Sequence, residues 1–214
     1  MVDILLSTIW GLFMTVIAAM KANGKVYMGC DSSFLYTETM QVTKRTQSKL
    51  IVKDEMVIGL TTVGCRIFQI IKYKLKLPTT RKLKDEDLLE YMVIQFCGKL
   101  QKVLHSESLL VEDTDRKNAE PSISPAAFLI GIRDRIFQIG EDFDVAEINM
   151  PFLAIGGGGE YAIGSLEATI SLVMQLDPEH HLIYALKTAE KFNAGVRGPF
   201  QLINTGELCP LECS

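Results

Sequence analysis

Apolar and polar residues alternate with the two-residue period of β-strands in the first third of the chain. From Thr15 to Met28 the pattern is strand, turn and strand, and the turn contains Asn23-Gly24, a strong short-range signal for a hairpin. The same periodicity predicts strands in the segments ETMQVT, SKLIVKD and EMVIGLTT. The chain therefore begins as a series of strands joined by short links.

A helical spacing follows these strands. Apolar residues recur on one face of a predicted helix between residues 64 and 77, at Ile67, Ile70, Ile71 and Leu75. A longer helix is predicted from about Asp85, because acidic residues in its first turn interact favourably with the helix dipole. Residues 106–124 are polar and contain proline and serine, which is typical of a surface loop.

The second half of the chain repeats this order. Strands are predicted in AAFLIGI, RIFQIG and FLAIGGG. One helix is then expected from about Glu160 to Leu176, and another begins at Asp177-Pro178, an N-cap residue followed by proline at the first helical position. A last strand is predicted in PFQLINT.

The order of elements predicts the fold class. Short hairpin links join nearly all of the strands, and such links favour antiparallel sheets. The helices fall into two blocks of the sequence, one after each group of strands. We therefore expect an α+β layered sandwich rather than a doubly wound parallel sheet.

Length, charge and cysteine content narrow the possible functions. The 214 residues suffice for one domain with a substantial core. A net charge of -4 and the lack of a long basic run argue against nucleic-acid binding. Five scattered cysteines fit a reducing cytoplasm. Cys209 and Cys213 are close, but no histidine or second cysteine pair completes a zinc site, so we expect no metal.

The first residues allow two interpretations. Residues 4–20 carry no charge, as in a signal peptide or a short membrane anchor, but Asp3 replaces the usual basic residue and the span is short. Alternatively, residues 1–14 are a propeptide or reflect a mis-assigned start, with Met14 as the true one. We expect the second, with no membrane association, a single domain over residues 15–205 and a C-terminal tail over residues 206–214.

Four consecutive glycines, residues 156–159, precede a predicted helix. A phosphate-binding loop is one interpretation, because helix N-termini bind anions. The segment has neither the Lys-Ser/Thr pair of a P-loop nor the G-x-G-x-x-G spacing of a dinucleotide site. We therefore expect a tight strand-to-helix turn in which the backbone passes close to another group.

Thr15, Asp31 and Lys49 form a candidate catalytic set. A threonine hydroxyl becomes a nucleophile when a base accepts its proton, and the free α-amine of an N-terminal threonine can be that base. Removal of Met14 would give Thr15 such an amine. A nearby lysine would lower the pKa of both groups, and a carboxylate would hold the lysine. Asp31 ends the second predicted strand and Lys49 begins a later one.

Several motifs resemble those of a known family in the same order. The segment TVIAAMKANGKVYMGCDS is similar to the start of proteasome β-type subunits and of HslV, the bacterial peptidase that works with a hexameric ATPase. SKLIVKD resembles the segment that carries the family's lysine, and VIGLTTVG resembles the strand and glycine after it. FLAIGGGGEYAIGSLEA and ALKTAEKFNAG resemble the last two helices. The resemblance to this Ntn-hydrolase family spans Thr15 to about Leu202.

The resemblance implies a four-layer αββα sandwich of two antiparallel sheets between helices. It also implies roles for individual residues. Thr15 would be the nucleophile and, through its amine, the base. Lys49 would lower the pKa of Thr15, Asp31 would orient Lys49, and the backbone N–H of Gly59 would be an oxyanion donor.

The position of the lysine departs from the family pattern. Lys49 lies two residues farther from Asp31 than the family spacing, so an ungapped comparison would place Gln47 there. Lys49 is preferred because Asp54 follows it at the family's interval, and two residues along a strand preserve the face.

Three supporting positions also differ. Gly157 stands where the family has a serine whose hydroxyl contacts the threonine amine. Near the end of the last helix, Asn193 and Val196 replace an aspartate and a serine. The nucleophile, lysine and aspartate are retained, but their support is reduced.

The function implied by the resemblance is that of a threonine-type endopeptidase that degrades unfolded polypeptides in the cytoplasm. Such subunits form stacked hexameric or heptameric rings of identical chains, and an ATPase unfoldase ring often delivers the substrate. No cofactor is implied. The substitutions at Gly157, Asn193 and Val196 favour an alternative, a weakly active or inactive ring subunit with a structural or regulatory role.

Overall fold

The structure is a computed structural model that describes residues 15–36, 39, 41–44, 46–62, 65–110, 126–172 and 176–213. The strands are β1 (Ile17–Ala22), β2 (Lys25–Cys30), β3 (Ser33–Tyr36), β4 (Gln41–Lys44), β5 (Leu50–Lys53), β6 (Met56–Thr62), β7 (Ala126–Ile132), β8 (Arg135–Ile139), β9 (Val145–Ile148), β10 (Phe152–Ile155), β11 (Phe200–Asn204) and β12 (Glu207–Cys213). The helices are α1 (Arg66–Tyr73), α2 (Leu88–Glu90), α3 (Gly98–Ser106), α4 (Gly159–Leu172) and α5 (Pro178–Phe192), and a π-helical segment, Tyr91–Cys97, joins α2 to α3.

The first sheet has five antiparallel strands in the order β10-β1-β2-β11-β12. Its centre is the predicted hairpin, in which β1 and β2 pair from Ile17–Cys30 to Ala22–Lys25. Asn23 and Gly24 both have positive φ, 53° and 69°, as the tightest hairpin turns require. The Asn-Gly turn therefore fixes the register in which Asp31 lies opposite Val16, the residue after Thr15.

The second sheet is also antiparallel and follows the chain, in the order β5-β6-β7-β8-β9. Tight turns join β5 to β6 and β7 to β8, and Asp54 and Arg133 have positive φ in these turns. The short hairpin of β3 and β4 lies outside both sheets.

Apolar residues form three clusters that define four layers. Alternate residues of β1 point in opposite directions, so Ile17 packs with Val57 and Leu129 between the two sheets. Ala18 instead faces the cluster that contains the buried side of α4 and α5. On the far face of the second sheet, α1 and the α2–α3 helix cover a third cluster. The predicted αββα sandwich of two antiparallel sheets is confirmed.

Helix boundaries agree with the sequence pattern. Asp177 caps α5, and its side chain accepts a hydrogen bond from the backbone N–H of Glu179, while Pro178 occupies the first turn. The long helix predicted from Asp85 begins with a short 3₁₀ turn and then contains the π-helical segment. In that segment the buried pair Tyr91 and Met92 is followed five residues later by a second pair, Phe96 and Cys97. The wider π turn keeps both pairs on the core side.

Three strands were not expected from the sequence. β3 and β9 have only four residues each, and β9 is a half-exposed edge strand, so neither has a strong periodic signal. β12 pairs with β11 and occupies residues 207–213, so this part of the predicted tail belongs to the first sheet. Pro210 weakens the strand signal of β12, although edge strands tolerate proline.

The expectations for residues 1–14 and for residues 111–124 of the predicted loop concern parts of the chain outside the described residues. Among the helices that are described, none is long and apolar enough to cross a membrane.

Candidate active site

Thr15 lies two residues before the start of β1 and is buried, with 5% of its surface exposed. Asp31 lies immediately after β2 and is fully buried. Because β1 and β2 form a hairpin, residues at these two ends are neighbours across the strand pair. Thr15 Oγ1 donates a hydrogen bond of 2.8 Å to Asp31 Oδ1, which also accepts the backbone N–H of Val16 at 3.0 Å.

Lys49 comes from the other sheet. It precedes β5 and is 5% exposed, and the adjacent Leu50 packs between the two sheets. Lys49 Nζ donates to Thr15 Oγ1 at 2.6 Å and to Asp31 Oδ1 at 2.7 Å. The structure therefore brings together Thr15, Asp31 and Lys49, the three residues that the sequence analysis expected to lie in one site.

The alternative lysine position, Gln47, is exposed and lines a pocket between β5 and α1. Ser48 and Leu50, which flank Lys49 in the chain, line the same pocket. The structure thus places Lys49, and not Gln47, beside Thr15 Oγ1.

The arrangement has a definite electrostatic consequence. Lys49 and Asp31 form an ion pair at 2.7 Å away from bulk water, where charges interact more strongly than at the surface. Thr15 Oγ1 donates its proton towards the carboxylate and accepts from the ammonium group. A positive charge at this distance stabilises negative charge that develops on Oγ1 during nucleophilic attack.

The second oxygen of Asp31 is bound by a residue that was missed from the sequence. Ser33 donates to Asp31 Oδ2 through its backbone N–H at 2.9 Å and also through its hydroxyl. The single proton of this hydroxyl is shared between Asp31 Oδ2 and the carbonyl oxygen of Gly195. The available signal was position, because Ser33 follows the aspartate by two residues, a spacing at which an aspartate side chain commonly bonds the backbone.

The glycine-rich turn approaches Thr15 from the opposite direction. The backbone N–H of Gly158 donates to the Thr15 carbonyl oxygen at 3.0 Å. Gly156 has a φ of +89°, and a Cβ atom there would lie 2.5 Å from the same oxygen. The close approach expected for residues 156–159 is therefore an approach to Thr15, and only glycine leaves the required space.

Asn193 connects this turn to a second loop. Its Nδ2 donates to the Gly157 carbonyl oxygen at 2.9 Å, and its Oδ1 accepts the backbone N–H of Gly195 at 2.9 Å. Val196 is fully buried, and a Cβ atom at Gly158 would lie 2.9 Å from its Cγ2. Gly157 and Asn193 thus belong to the turn whose backbone contacts Thr15, whereas the family resemblance implies a serine and an aspartate at these two positions.

The placement of Gly59 corrects one expectation. Gly59 lies in β6 and pairs with Leu50 of β5 and Leu129 of β7, so its backbone N–H belongs to the sheet. A Cβ atom there would lie 2.5 Å from Ile17 Cγ2, so glycine is needed where the sheets approach each other. The oxyanion role implied for Gly59 is not supported, and residues 63 and 64, which follow β6, are outside the described residues.

A second potential nucleophile adjoins the site. Cys30 is fully buried next to Asp31, and its Sγ lies 4.0 Å from Ser48 Oγ. Burial raises the pKa of the Cys30 thiol to about 11, and the negative charge of Asp31 contributes to the increase. The thiol therefore remains protonated at neutral pH and is a poor nucleophile.

The described residues contain no group of three or more histidine, cysteine or carboxylate side chains placed to hold a metal ion.

Comparisons with known proteins bear on the fold. No protein-family model matches the sequence, and no curated protein matches it. A structure of Thiobacillus denitrificans BPH in complex with Epoxomicin is 18% identical, with a TM-score of 0.68 over 92% of this chain and 100% of that one. Eukaryotic HslV from Trypanosoma brucei is 16% identical, with a TM-score of 0.59 over 89% of this chain and 98% of that one.

The Anbu complex from Pseudomonas aeruginosa, a helical assembly, is 15% identical, with a TM-score of 0.57 over 92% of this chain and 85% of that one. The likeness extends over nearly the full length of each chain. The protein therefore has the proteasome-like Ntn-hydrolase fold.

Proposed function

We propose that the protein is a subunit of a proteasome-like ring protease, a threonine-type endopeptidase whose nucleophile is Thr15. The observation that carries the proposal is the contact between Lys49 Nζ and Thr15 Oγ1 at 2.6 Å, with Asp31 bonded to both. A buried lysine held against a hydroxyl is an arrangement that activates a nucleophile.

The reaction would be acyl transfer in two steps. Thr15 Oγ1 attacks the carbonyl carbon of a peptide bond while the α-amine of Thr15 accepts its proton. The resulting intermediate expels the amine of the leaving segment, which receives that proton, and an ester remains on Thr15. Water then attacks the ester with the same amine as base, which releases the new carboxylate and restores the hydroxyl.

This chemistry requires Thr15 to be the first residue. In the printed sequence Met14 precedes it, so the nitrogen of Thr15 is a peptide nitrogen and cannot be a base. The proposal therefore requires that residues 1–14 are absent from the active chain. Lys49 lowers the pKa of the hydroxyl and of the freed amine, and Asp31 keeps Lys49 in place.

Assembly into stacked hexameric or heptameric rings is part of the proposal. The Anbu complex forms a helical assembly, so this fold is found in multi-subunit structures. The outer face of α4 and α5 exposes large apolar side chains, among them Tyr161, Tyr184 and Phe192, and the rings of Tyr161 and Phe192 stack at 5.7 Å. Such a surface is typical of an interface with another chain. The substrate would be unfolded polypeptide in the cytoplasm, with an ATPase unfoldase ring as a partner and no cofactor.

A weakly active or inactive ring subunit is the second candidate. It is favoured by the glycine and valine that stand at positions 157 and 196, because neither side chain can hydrogen-bond the threonine amine. In that case the ion pair of Lys49 and Asp31 would only stabilise the fold.

The test determines the N-terminus and the activity of the protein when it is made from its own gene. The gene is expressed with its native upstream region, and the purified protein is examined by intact mass, N-terminal sequencing and cleavage of an unfolded protein substrate. We expect a chain that begins at Thr15 and cleaves the substrate, with no cleavage by Thr15→Ala. A chain that begins at Thr15 but is inactive would favour the second candidate, and a Thr15→Ala variant with parental activity would refute the nucleophile.

A further inference from the structure

The two oxygens of the Asp31 carboxylate have different partners. Oδ1 accepts from Thr15 Oγ1, Val16 N and Lys49 Nζ, so it faces the reactive hydroxyl and the ammonium group. Oδ2 accepts from the backbone N–H and the hydroxyl of Ser33. Among the described residues, Oδ1 thus accepts hydrogen bonds from the groups around the Thr15 hydroxyl, whereas Oδ2 accepts hydrogen bonds from Ser33.

The orientation of such a carboxylate depends on its hydrogen bonds. The terminal torsion of an aspartate has broad, roughly two-fold preferences, so packing of the side chain alone does not fix the plane of the two oxygens. Two donors from one residue fix that plane by holding Oδ2. The direction in which Oδ1 faces Thr15 and Lys49 is then determined.

Ser33 is itself held in place. It is 2% exposed at the start of β3, and its hydroxyl also contacts the Gly195 carbonyl oxygen. Gly195 is bonded in turn to Asn193, which supports the glycine turn at Gly157. A chain of hydrogen bonds therefore runs from the Asp31 carboxylate through Ser33, Gly195 and Asn193 to the glycine turn that contacts the Thr15 backbone.

We propose that Ser33 is a positioning residue of the site, which acts on Thr15 and Lys49 by holding the Asp31 carboxylate. The inference rests on the proposed function insofar as it concerns reactivity of Thr15. It assigns to Ser33 no contact with substrate, because the residue is buried beneath the carboxylate.

The neighbouring serine is a matched control. Ser32 is 3% exposed, its hydroxyl donates to the Pro199 carbonyl oxygen, and its backbone N–H donates to the Arg197 carbonyl oxygen. It therefore loses a hydrogen bond to the same loop when it is changed to alanine. None of the hydrogen bonds described for Ser32 involves Asp31.

The first measurement is labelling of Thr15 by a peptide epoxyketone, whose two electrophilic carbons react with a hydroxyl and an amine on the same residue. The processed parent, Ser33→Ala and Ser32→Ala are compared by intact mass over time, which gives kinact and KI. Loss of one hydrogen bond to a charged group predicts that kinact of Ser33→Ala falls about ten- to a hundredfold with KI unchanged. Ser32→Ala should stay within about twofold of the parent, as expected for a position outside the site.

The second measurement does not depend on catalysis. Lys49 is acetylated with acetic anhydride in the full-length protein, and the modified fraction is measured by peptide mass spectrometry. A carboxylate released from Ser33 holds the ammonium group less firmly, so Lys49 should be modified severalfold faster in Ser33→Ala than in the parent. Ser32→Ala should match the parent.

The two measurements separate the possible failures. If the processed parent is not labelled by the epoxyketone, the proposed function fails, and the acetylation of Lys49 still decides the role of Ser33. If Ser33→Ala equals Ser32→Ala in both measurements, the positioning role is overturned. Should Ser33→Ala not fold, Ser33→Cys is used, because its weaker donor predicts a smaller change in the same direction and an unchanged rate would again overturn the role.

Discussion

Thr15 is held in different ways on its two sides. The charged side is formed by Asp31, Ser33 and Lys49. Asp31 and Lys49 hydrogen-bond the Thr15 hydroxyl directly, and Ser33 binds the Asp31 carboxylate. The glycine side, formed by residues 156–158 together with Asn193, contacts the peptide carbonyl of Thr15 through a backbone N–H. In the proposed reaction the charged side would stabilise the charge that develops during nucleophilic attack, whereas the glycine side would only position Thr15.

The difference indicates how each side responds to substitution. Removal of a charge from the charged side eliminates a stabilising interaction that no neighbour replaces. A side chain added to the glycine side displaces Thr15 without changing any charge. Effects on reactivity should therefore be largest for Lys49, intermediate for the glycine side and smallest for residues that adjoin the site without contacting Thr15.

The largest effect is expected for Lys49→Met, which keeps an unbranched side chain and removes the charge. We expect epoxyketone labelling and substrate cleavage to fall by about a thousandfold or more. Asp31 then lacks its buried partner, so the free energy of unfolding should fall by about 3–5 kcal/mol. The double variant Lys49→Met/Asp31→Asn should regain stability in thermal unfolding but no activity. Labelling of Lys49→Met at the parental rate would remove Lys49 from the site.

A smaller but substantial effect is expected for Gly156→Ala. The added Cβ would lie 2.5 Å from the Thr15 carbonyl oxygen, and the backbone φ of +89° is unfavourable for alanine. Displacement of Thr15 by a fraction of an ångström to an ångström predicts an approximately hundredfold loss of kinact. Gly164→Ala is the control, because Gly164 lies in α4 and a Cβ there meets no atom within 4 Å.

Gly164→Ala should leave labelling unchanged and stabilise the helix by about 0.5–1 kcal/mol. Equal labelling by the two alanine variants would show that the glycine side does not position Thr15.

A smaller fall in kinact than for Gly156→Ala is expected for Asn193→Asp. This change keeps an acceptor for the Gly195 N–H but replaces the donor to the Gly157 carbonyl oxygen by a carboxylate oxygen. Loss of one hydrogen bond in the support of Thr15 predicts about a tenfold fall in kinact. Asn204→Asp is the control, because the two hydrogen bonds described for its side chain are both accepted by Oδ1 and persist in aspartate. A result in which both variants label equally would exclude a role for the Asn193 amide.

The smallest effect on labelling is expected for substitution of Cys30, which precedes Asp31 of the charged side in the chain. Because its thiol has a pKa of about 11, iodoacetamide at pH 8 should leave Cys30 unmodified in the folded protein, whereas half-buried Cys65 reacts. Cys30→Ala should keep kinact within about twofold of the parent, since the thiol is not the nucleophile. Loss of labelling in Cys30→Ala with an unchanged melting temperature would make Cys30 part of the mechanism.

Much of the charged side could be predicted from the sequence. The Asn-Gly turn sets the register of β1 and β2, so the ends of that hairpin place Asp31 beside Thr15. The contact between Lys49 and Thr15 could be expected only from the family resemblance, because Lys49 precedes a strand of the other sheet and no local pattern indicates how two sheets stack. Both layers of helices and most strands followed from periodicity.

The glycine side was harder to predict. The four glycines indicated a close approach, but the group approached, the Thr15 carbonyl, depends on how β10 pairs with β1. The expectation for Gly59 failed because a glycine within a strand can serve close packing of two sheets as well as a catalytic loop. Ser33 was missed although its position two residues after Asp31 was a signal, because its contact with one carboxylate oxygen becomes evident only when both oxygens of Asp31 are assigned partners.

The most direct test of the central claim is the mass of a chain that begins at Thr15 after incubation with a peptide epoxyketone. A free amine and an activated hydroxyl on the same residue predict one probe per chain, mapped to Thr15 by fragmentation and absent from Thr15→Ala. A chain that begins at Thr15 and gains no probe, or a probe that maps to another residue, would contradict the assignment of Thr15 as an N-terminal nucleophile activated by Lys49.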